Sequence, residues 1–271
     1  MRTRIAPTPS GYLHVGNALN FLITQKLARS ASGSILLRID DLDTERARPE
    51  YITDVFDSLA WLGITWDEGP LDADDLSRNW SQLQRVVRYA GLASALRDGG
   101  HLYACICSRK QLATCTCRDR AMPLDAAETT WRLRVPSSCP VIINSWPSGK
   151  RTIELQDVMC DPVVRHRNGS PSYQLASLSD DIDYRIDLIV RGEDLLPSTV
   201  CQLYIADLLG LEAFAHVRFV HHPLITDASG AKLSKSQDAD SLKVMRDEGL
   251  APDALNTQAD TLLARIVDQG L

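Results

Sequence analysis

The sequence predicts an α/β fold built on a parallel, doubly wound sheet. Thr3–Ala6 and Ser34–Ile39 are short apolar runs of strand length. Between them the chain turns through a Pro/Gly segment and then sets Leu19, Leu22, Ile23 and Leu27 at helical spacing. Strand, turn, helix and strand within roughly 40 residues make a βαβ unit, whose two strands run parallel. Far downstream the pattern returns, with Ile186–Val190 as an apolar strand and Val200–Leu209 as a helix.

The elements between follow in order. Ile52, Val55, Phe56, Leu59 and Leu62 mark a second helix, which ends before the break at Trp66-Asp67-Glu68-Gly69-Pro70. A third helix is predicted from about Trp80 to Arg97. Leu71 to Val164 reads as an insertion between the two halves of the sheet. Four units result: residues 1–70, the first half; 71–164, the insertion; 165–222, the second half; and 223–271, a basic loop with a short helical tail. The chain holds no internal repeat and no low-complexity segment.

Composition narrows the class. At 271 residues and 44% apolar content the chain has material for a sizeable core. No apolar run approaches the ~18 residues that a bilayer span needs. The N-terminus carries Arg2 and Arg4 and turns at Pro7, without the apolar stretch of a signal peptide, so a cytoplasmic location is the expectation. The net charge of −6 argues against nucleic acid, but Arg85 to Arg167 holds 13 Lys+Arg against 7 Asp+Glu. That basic middle keeps an RNA partner admissible, and ordinary surface variation accounts for it equally well.

Seven cysteines, an odd number in a chain without an export signal, do not read as a disulfide framework. Cys105-x-Cys107 and Cys115-x-Cys117 form a reasonable four-thiolate set for tetrahedral Zn²⁺. Arg109, Lys110, Arg118 and Arg120 around it would offset thiolate charge. The plainer reading is a group of reduced, partly buried thiols. His101 is a reserve ligand, and Cys139, Cys160 and Cys201 read as core or free thiols.

The first strand-to-helix turn has neither the G-x-G-x-x-G pattern nor a P-loop. It reads Pro9-Ser10-Gly11-Tyr12-Leu13-His14-Val15-Gly16-Asn17. Gly11 and Gly16 let the backbone pass close to a polyphosphate. The helix start supplies free N–H groups and positive dipole, and His14 can donate to a phosphoryl oxygen. Near the other end stands Lys232-Leu233-Ser234-Lys235-Ser236. Alone, each motif reads as an ordinary turn or a solvated basic loop. As a pair in this order they resemble HIGH and KMSKS, the signatures of class I aminoacyl-tRNA synthetases. That resemblance implies attack of an amino-acid carboxylate on the α-phosphate of ATP. Catalytic roles fall to His14, Lys232 and Lys235, with Gly11, His14, Gly16, Asn17, Lys232, Ser234 and Lys235 holding ATP and Mg²⁺ bridging its phosphates.

Further segments are similar to the glutamyl branch: Arg4 to Gly11, Leu37-Arg38-Ile39-Asp40-Asp41, Trp61 to Pro70, and Val190-Arg191-Gly192-Glu193-Asp194-Leu195-Leu196. The resemblance implies a glutamate pocket of Arg4, Ala6, Thr8, Asp40, Tyr173 and Arg191. Arg191, helped by Arg4, suits the side-chain carboxylate as a planar fork. Asp40 suits the ammonium, and Tyr173 donates its hydroxyl or walls the pocket. Asp40 and Ser177 depart from the Glu and Asn usual in glutamyl members. On the plainer reading, Arg191 with Glu193 and Arg38 with Asp40 are simple ion pairs.

The sequence ends 35 residues after Ser236. In this it resembles the short glutamyl-queuosine tRNA(Asp) synthetases. The implied architecture is a Rossmann-like catalytic domain with a zinc-bearing insertion and no anticodon-binding domain, acting as a monomer on L-glutamate and the anticodon loop of tRNA(Asp). Two rivals stand. One keeps glutamate activation but transfers to a tRNA 3′ end or a non-tRNA acceptor. The other is a non-catalytic nucleotide- or RNA-binding zinc module.

Overall fold

The computed structural model describes residues 1–224 and 241–268. Its strands are β1 (Arg2–Ile5), β2 (Ser34–Leu37), β3 (Leu102–Cys105), β4 (Thr130–Leu133), β5 (Pro140–Ser145), β6 (Gly149–Glu154), β7 (Val163–Arg165), β8 (Leu188–Gly192) and β9 (Arg218–His222). Six form one sheet in the order β2-β1-β8-β9-β5-β6. β1 runs parallel to β2 and β8, and β9 runs parallel to β8 and β5; only the edge strand β6 is antiparallel. The expected parallel α/β sheet is present.

Alternation along the strands shows why both faces must be covered. Leu188, Val190, Val220, Ile35 and Leu37 point into one apolar cluster, whereas Ile189, Phe219 and Leu36 point into the other. The first cluster is closed by Leu19, Leu22, Ile23 and Leu27 of helix Val15–Ser30, with Leu255, Ala259 and Ile266 of helix Asp253–Asp268 packed beyond it. The second is closed by Leu175 and Leu178 of helix Tyr173–Asp183 and by Val200 and Ile205 of helix Leu196–Leu208. Each such aliphatic side chain contributes roughly 1.5–3 kcal/mol by leaving water. Among the described residues, no helix is long and apolar enough to cross a membrane.

Three expectations are corrected. Residues 140–154 fall inside the predicted insertion, yet β5 and β6 extend the main sheet beyond β9. What stands apart is the three-stranded sheet β3-β4-β7, antiparallel throughout. The helix expected from about Trp80 begins at Val86. A π-turn, Leu76–Trp80, precedes a break at Ser81, where Asp41 accepts from Ser81 Oγ at 2.6 Å and from the Gln82 amide at 2.8 Å. The long-range carboxylate satisfies donors that a continued helix would have used, and local periodicity cannot report that. The strand expected at Ile186–Val190 lies two residues later, because the Ile186 amide returns to the Asp181 carbonyl and closes the preceding helix.

The parallel sheet aligns strand ends. β1 and β2 register Ile5 with Leu37, and β8 and β9 register Arg191 with His221 and Gly192 with His222. The residues that follow, Ala6 to Thr8 after β1 and Asp40 after β2, therefore gather with Arg191 and His222 at one carboxyl edge, where ligands of open parallel sheets bind.

Candidate active site

A cavity of about 530 Å³ opens at that edge. Its walls bring together Ala6, Thr8, His14, Gly16, Asn17, Asp40, Tyr173 and Arg191, eight of the residues expected from sequence. Gly11 and Arg4 do not line it. Lys232, Ser234 and Lys235 lie outside the described residues. Asn20, Phe21, Gly192, Asp194 and His222 line it without having been anticipated.

His14 caps helix Val15–Ser30. Its Nδ1 accepts from the Gly16 amide at 3.0 Å, while Asn17 Oδ1 accepts from the His14 amide at 3.1 Å. This is a capping box with imidazole in place of the usual hydroxyl. Because Nδ1 accepts, the proton of the neutral ring sits on Nε2, which is then a donor. A Cβ at Gly16 would lie 2.9 Å from His14 Cε1 and would push the capping ring out of place. A Cβ at Gly192 would lie 2.5 Å from Asp194 Oδ1 and would turn that carboxylate aside. Across the cavity His222 Nε2 meets Asn20 Oδ1 at 3.2 Å and Nδ1 meets the Pro223 carbonyl at 2.9 Å. Burial draws the His222 pKa down.

Beneath the cavity lies a buried ionic network. Arg38 grips Asp40 with two bonds, 2.6 and 3.1 Å, and reaches Asp181 at 2.8 Å. Arg4 is held by Asp181 at 3.2 Å and the Val190 carbonyl at 3.4 Å. Gln82 donates to both Asp40 and Asp180, and Asp180 also accepts from Arg85 and from Tyr89. The plain Arg38–Asp40 ion pair is thus present, and Asp40 faces the cavity with its charge already engaged. Burial pushes the Asp40 carboxyl up against the pull of Arg38. Against the same burial, Arg38 and then Arg4 hold Asp181 below the usual carboxylate range. Arg4, expected as a helper to Arg191, is held by Asp181 inside this network and does not line the cavity.

Arg191 differs. It is 2% exposed, yet among the described residues no carboxylate pairs with it, Glu193 included. Nη1 donates to Thr199 Oγ1 at 3.2 Å and Gln202 Oε1 at 3.1 Å. Nε and Nη2 are buried without an acceptor among the described residues. Burial lowers the Arg191 pKa, and the Phe219 ring, 5.8 Å from the guanidinium, offers only its π face. A buried guanidinium on a cavity wall, with donors unmet among the described residues, suits a carboxylate by charge and by donor geometry.

A second cavity of about 780 Å³ adjoins the first and shares Thr8, Asp40 and Tyr173 with it. Arg46, Gln82, His166 and Arg167 also line it.

The four clustered cysteines lie apart, at the end of β3 and on the two short turns after it. Their sulfurs all fall within 4.8 Å of one another, with Cys105–Cys115 at 3.7 Å and Cys107–Cys117 at 3.6 Å. Zn–S bonds of about 2.3 Å set tetrahedral S···S edges of about 3.8 Å, so the donors fit that ion. Burial opposes ionisation of Cys117, but the Ile106 amide and the neighbouring thiols outweigh it and hold its pKa down to about 7. His101 is not part of the group. Cys139 and Cys201 are buried and Cys160 is exposed, all three free.

A family model of tRNA synthetases class I (E and Q), catalytic domain, matches residues 1–129 and 119–262. The chain is 36% identical to glutamate–tRNA ligase 2 of Gluconacetobacter diazotrophicus, over 94% of its own length and 59% of the relative's. It is 34% identical to glutamyl-Q tRNA(Asp) synthetase of Nitratidesulfovibrio vulgaris, over 92% of its own length and 82% of the relative's. A crystal structure of a glutamate tRNA ligase from Elizabethkingia meningosepticum, in complex with its amino acid, superposes with a TM-score of 0.70 at 24% identity, covering 89% of this chain and 52% of that one. The Mycobacterium tuberculosis methionyl-tRNA synthetase in complex with methionyl-adenylate superposes at 0.54 with 14% identity, covering 91% and 61%. Those two likenesses speak for the fold alone, whereas the family model and the curated relatives show the family: the chain belongs to the class I tRNA synthetases of the glutamate and glutamine branch.

Proposed function

We propose that this chain activates L-glutamate with ATP and passes the glutamyl group to tRNA, with queuosine in the anticodon loop of tRNA(Asp) as the acceptor. The observation that carries the amino acid is Arg191: a buried guanidinium with two donors unpaired among the described residues calls for an anion, and a glutamate side chain brings one. A neutral glutamine would leave that charge unpaired, at a cost of several kcal/mol. In the activation step a glutamate α-carboxylate oxygen bonds to the α-phosphorus of ATP and pyrophosphate leaves. The protein's part is to align the two reactants and to answer the charge on the phosphates. His14, through Nε2–H, and the amides of the helix it caps suit the phosphoryl oxygens. Lys232 and Lys235 suit the departing pyrophosphate. Their stretch of chain is bounded by Leu224, which lines the cavity, and by Ser241, which bridges to His14. ATP brings Mg²⁺ with its phosphates.

The glutamyl-Q relative, which this chain spans for 82% of its length, supports queuosine as the acceptor. ATP–pyrophosphate exchange, run with and without tRNA, is expected with glutamate and to fall at least tenfold in Lys235→Ala. Exchange with no amino acid would remove the reading. Labelled glutamate is expected to transfer to queuosine-containing tRNA(Asp) in preference to tRNA(Glu), and the reverse preference would identify the tRNA 3′ end as acceptor.

The four thiolates suit one structural zinc, all four ligands coming from the protein. Elemental analysis of protein purified without chelator is expected to find about one zinc per chain. Removal of the ion is expected to lower the melting temperature, since ligand binding to the native state stabilises it by mass action. Metal-free protein with four freely titrating thiols at the cluster would reject the site.

A further inference from the structure

Three buried arginines stand beneath or beside the cavity, and they are treated in two ways. Arg4 and Arg38 are matched by Asp181 and Asp40 at 2.6–3.2 Å. Among the described residues Arg191 is in direct contact only with uncharged acceptors, Thr199 Oγ1, Gln202 Oε1 and the Phe219 ring face, while the Asp181 charge acts on it from beyond ion-pair distance. Thr199 and Gln202 are fully buried, at 0% exposure. The Gln202 amide has one admissible orientation. Turning it would set Nε2 against the Arg191 N–H, donor against donor, so the oxygen must face the guanidinium. Thr199 Oγ1 is in turn fixed by His221 Nε2 at 2.9 Å. Burial, and then the charge of Arg191, hold the His221 pKa down to about 3, so that ring is neutral at physiological pH.

We propose that Gln202 is a specificity-positioning residue: with Thr199 it orients Arg191 through neutral acceptors and so keeps its charge available for the substrate carboxylate. The inference rests on the glutamate reading and adds a reason for it. A glutamine and a glutamate at position 202 have nearly the same shape and the same acceptor. They differ in whether the guanidinium is already neutralised before any substrate arrives. Selection of an acidic over a neutral side chain then depends on an uncharged residue that does not line the cavity.

Gln202→Glu and Gln202→Met separate charge from orientation. In Gln202→Glu an internal carboxylate occupies Arg191. The KM for glutamate is expected to rise about 100-fold, the scale of losing one well-buried charge pair. The KM for ATP should change little, and glutamine should gain on glutamate by a similar factor. The melting temperature should equal or exceed that of the parent chain, since the new pair satisfies a buried charge. In Gln202→Met the charge stays available and only one guiding bond is lost, so the glutamate KM should rise by no more than about tenfold and the preference for glutamate should remain. Equal loss in both variants, accompanied by a lower melting temperature, would make Gln202 a purely structural residue and overturn the proposal. So would a Gln202→Glu variant whose glutamate KM stays within threefold of the parent. If the unsubstituted chain shows no exchange with glutamate, the functional reading fails at that step, before either variant is compared.

Discussion

Replacing Arg191 by methionine is expected to cut kcat/KM for glutamate by about a thousandfold, while the folded chain becomes no less stable. The two effects have one cause. The guanidinium is buried with two donors unmet among the described residues, an arrangement that costs free energy unless an anion pairs with it. Bound substrate repays this with a charge-assisted, forked pair, and truncating one side of such a pair costs roughly 2–5 kcal/mol or more. Methionine fills similar volume, so no large cavity confuses the comparison. Kinetics of ATP–pyrophosphate exchange, with glutamate varied at saturating ATP, measure the first effect, and thermal or urea unfolding the second. If Arg191 were instead a structural residue, stability would fall and the glutamate KM would stay put. A loss confined to the ATP dependence would shift the carboxylate receptor elsewhere.

How far the sequence could be read depends on whether each signal was local. The βαβ unit was legible because its strands and helix are consecutive and differ in hydrophobic period, and its first turn carries His14, Gly16 and Asn17. Arg191 was legible through its segment's resemblance to the glutamyl branch. That β5 and β6 join the main sheet was not legible, because a hairpin pattern says nothing about which strand it will pair with. Arg4 was expected in the pocket, but Asp181, far away in sequence, neutralises it. Asp180 and Asp181 sit on helix Tyr173–Asp183 beside apolar Leu175 and Leu178. Acids on the apolar face of a helix were the available sign of a buried ionic network. His222 and Asn20 gave no sign at all, since a histidine after a strand and an asparagine on a helix are ordinary on their own.

That network supplies the second large effect. Asp181 is 1% exposed and is shared by two arginines that are each 4% exposed, Arg4 and Arg38. Asp181→Asn keeps the shape and removes the charge. Breaking a buried ion set by removing one partner costs about 3–5 kcal/mol, because the remaining charges stay desolvated. The expected result at pH 7 is a lower urea midpoint with an unchanged m value. Asp183 lies on the same helix and also has two arginine partners, Arg85 and Arg88, but its side chain is 26% exposed and Arg88's is 53%. Asp183→Asn should therefore cost under about 1 kcal/mol. The pH dependence has a definite sign. The Asp181 pKa is depressed in the folded chain, so its contribution is fully present above the unfolded value of about 3.9 and is lost as pH falls through the folded one. Asp40 and Asp41 are displaced upward, so they act oppositely, favouring the folded state once protonated. Their relief on mild acidification comes first, and the loss from Asp181 follows at lower pH. In Asp181→Asn the late loss should shrink, leaving a shallower acid limb beneath a lower plateau. Equal midpoints for the Asp181 and Asp183 variants at pH 7 would mean that solvent reaches Arg4 and Arg38, and that the floor of the cavity is not the closed ionic network described above.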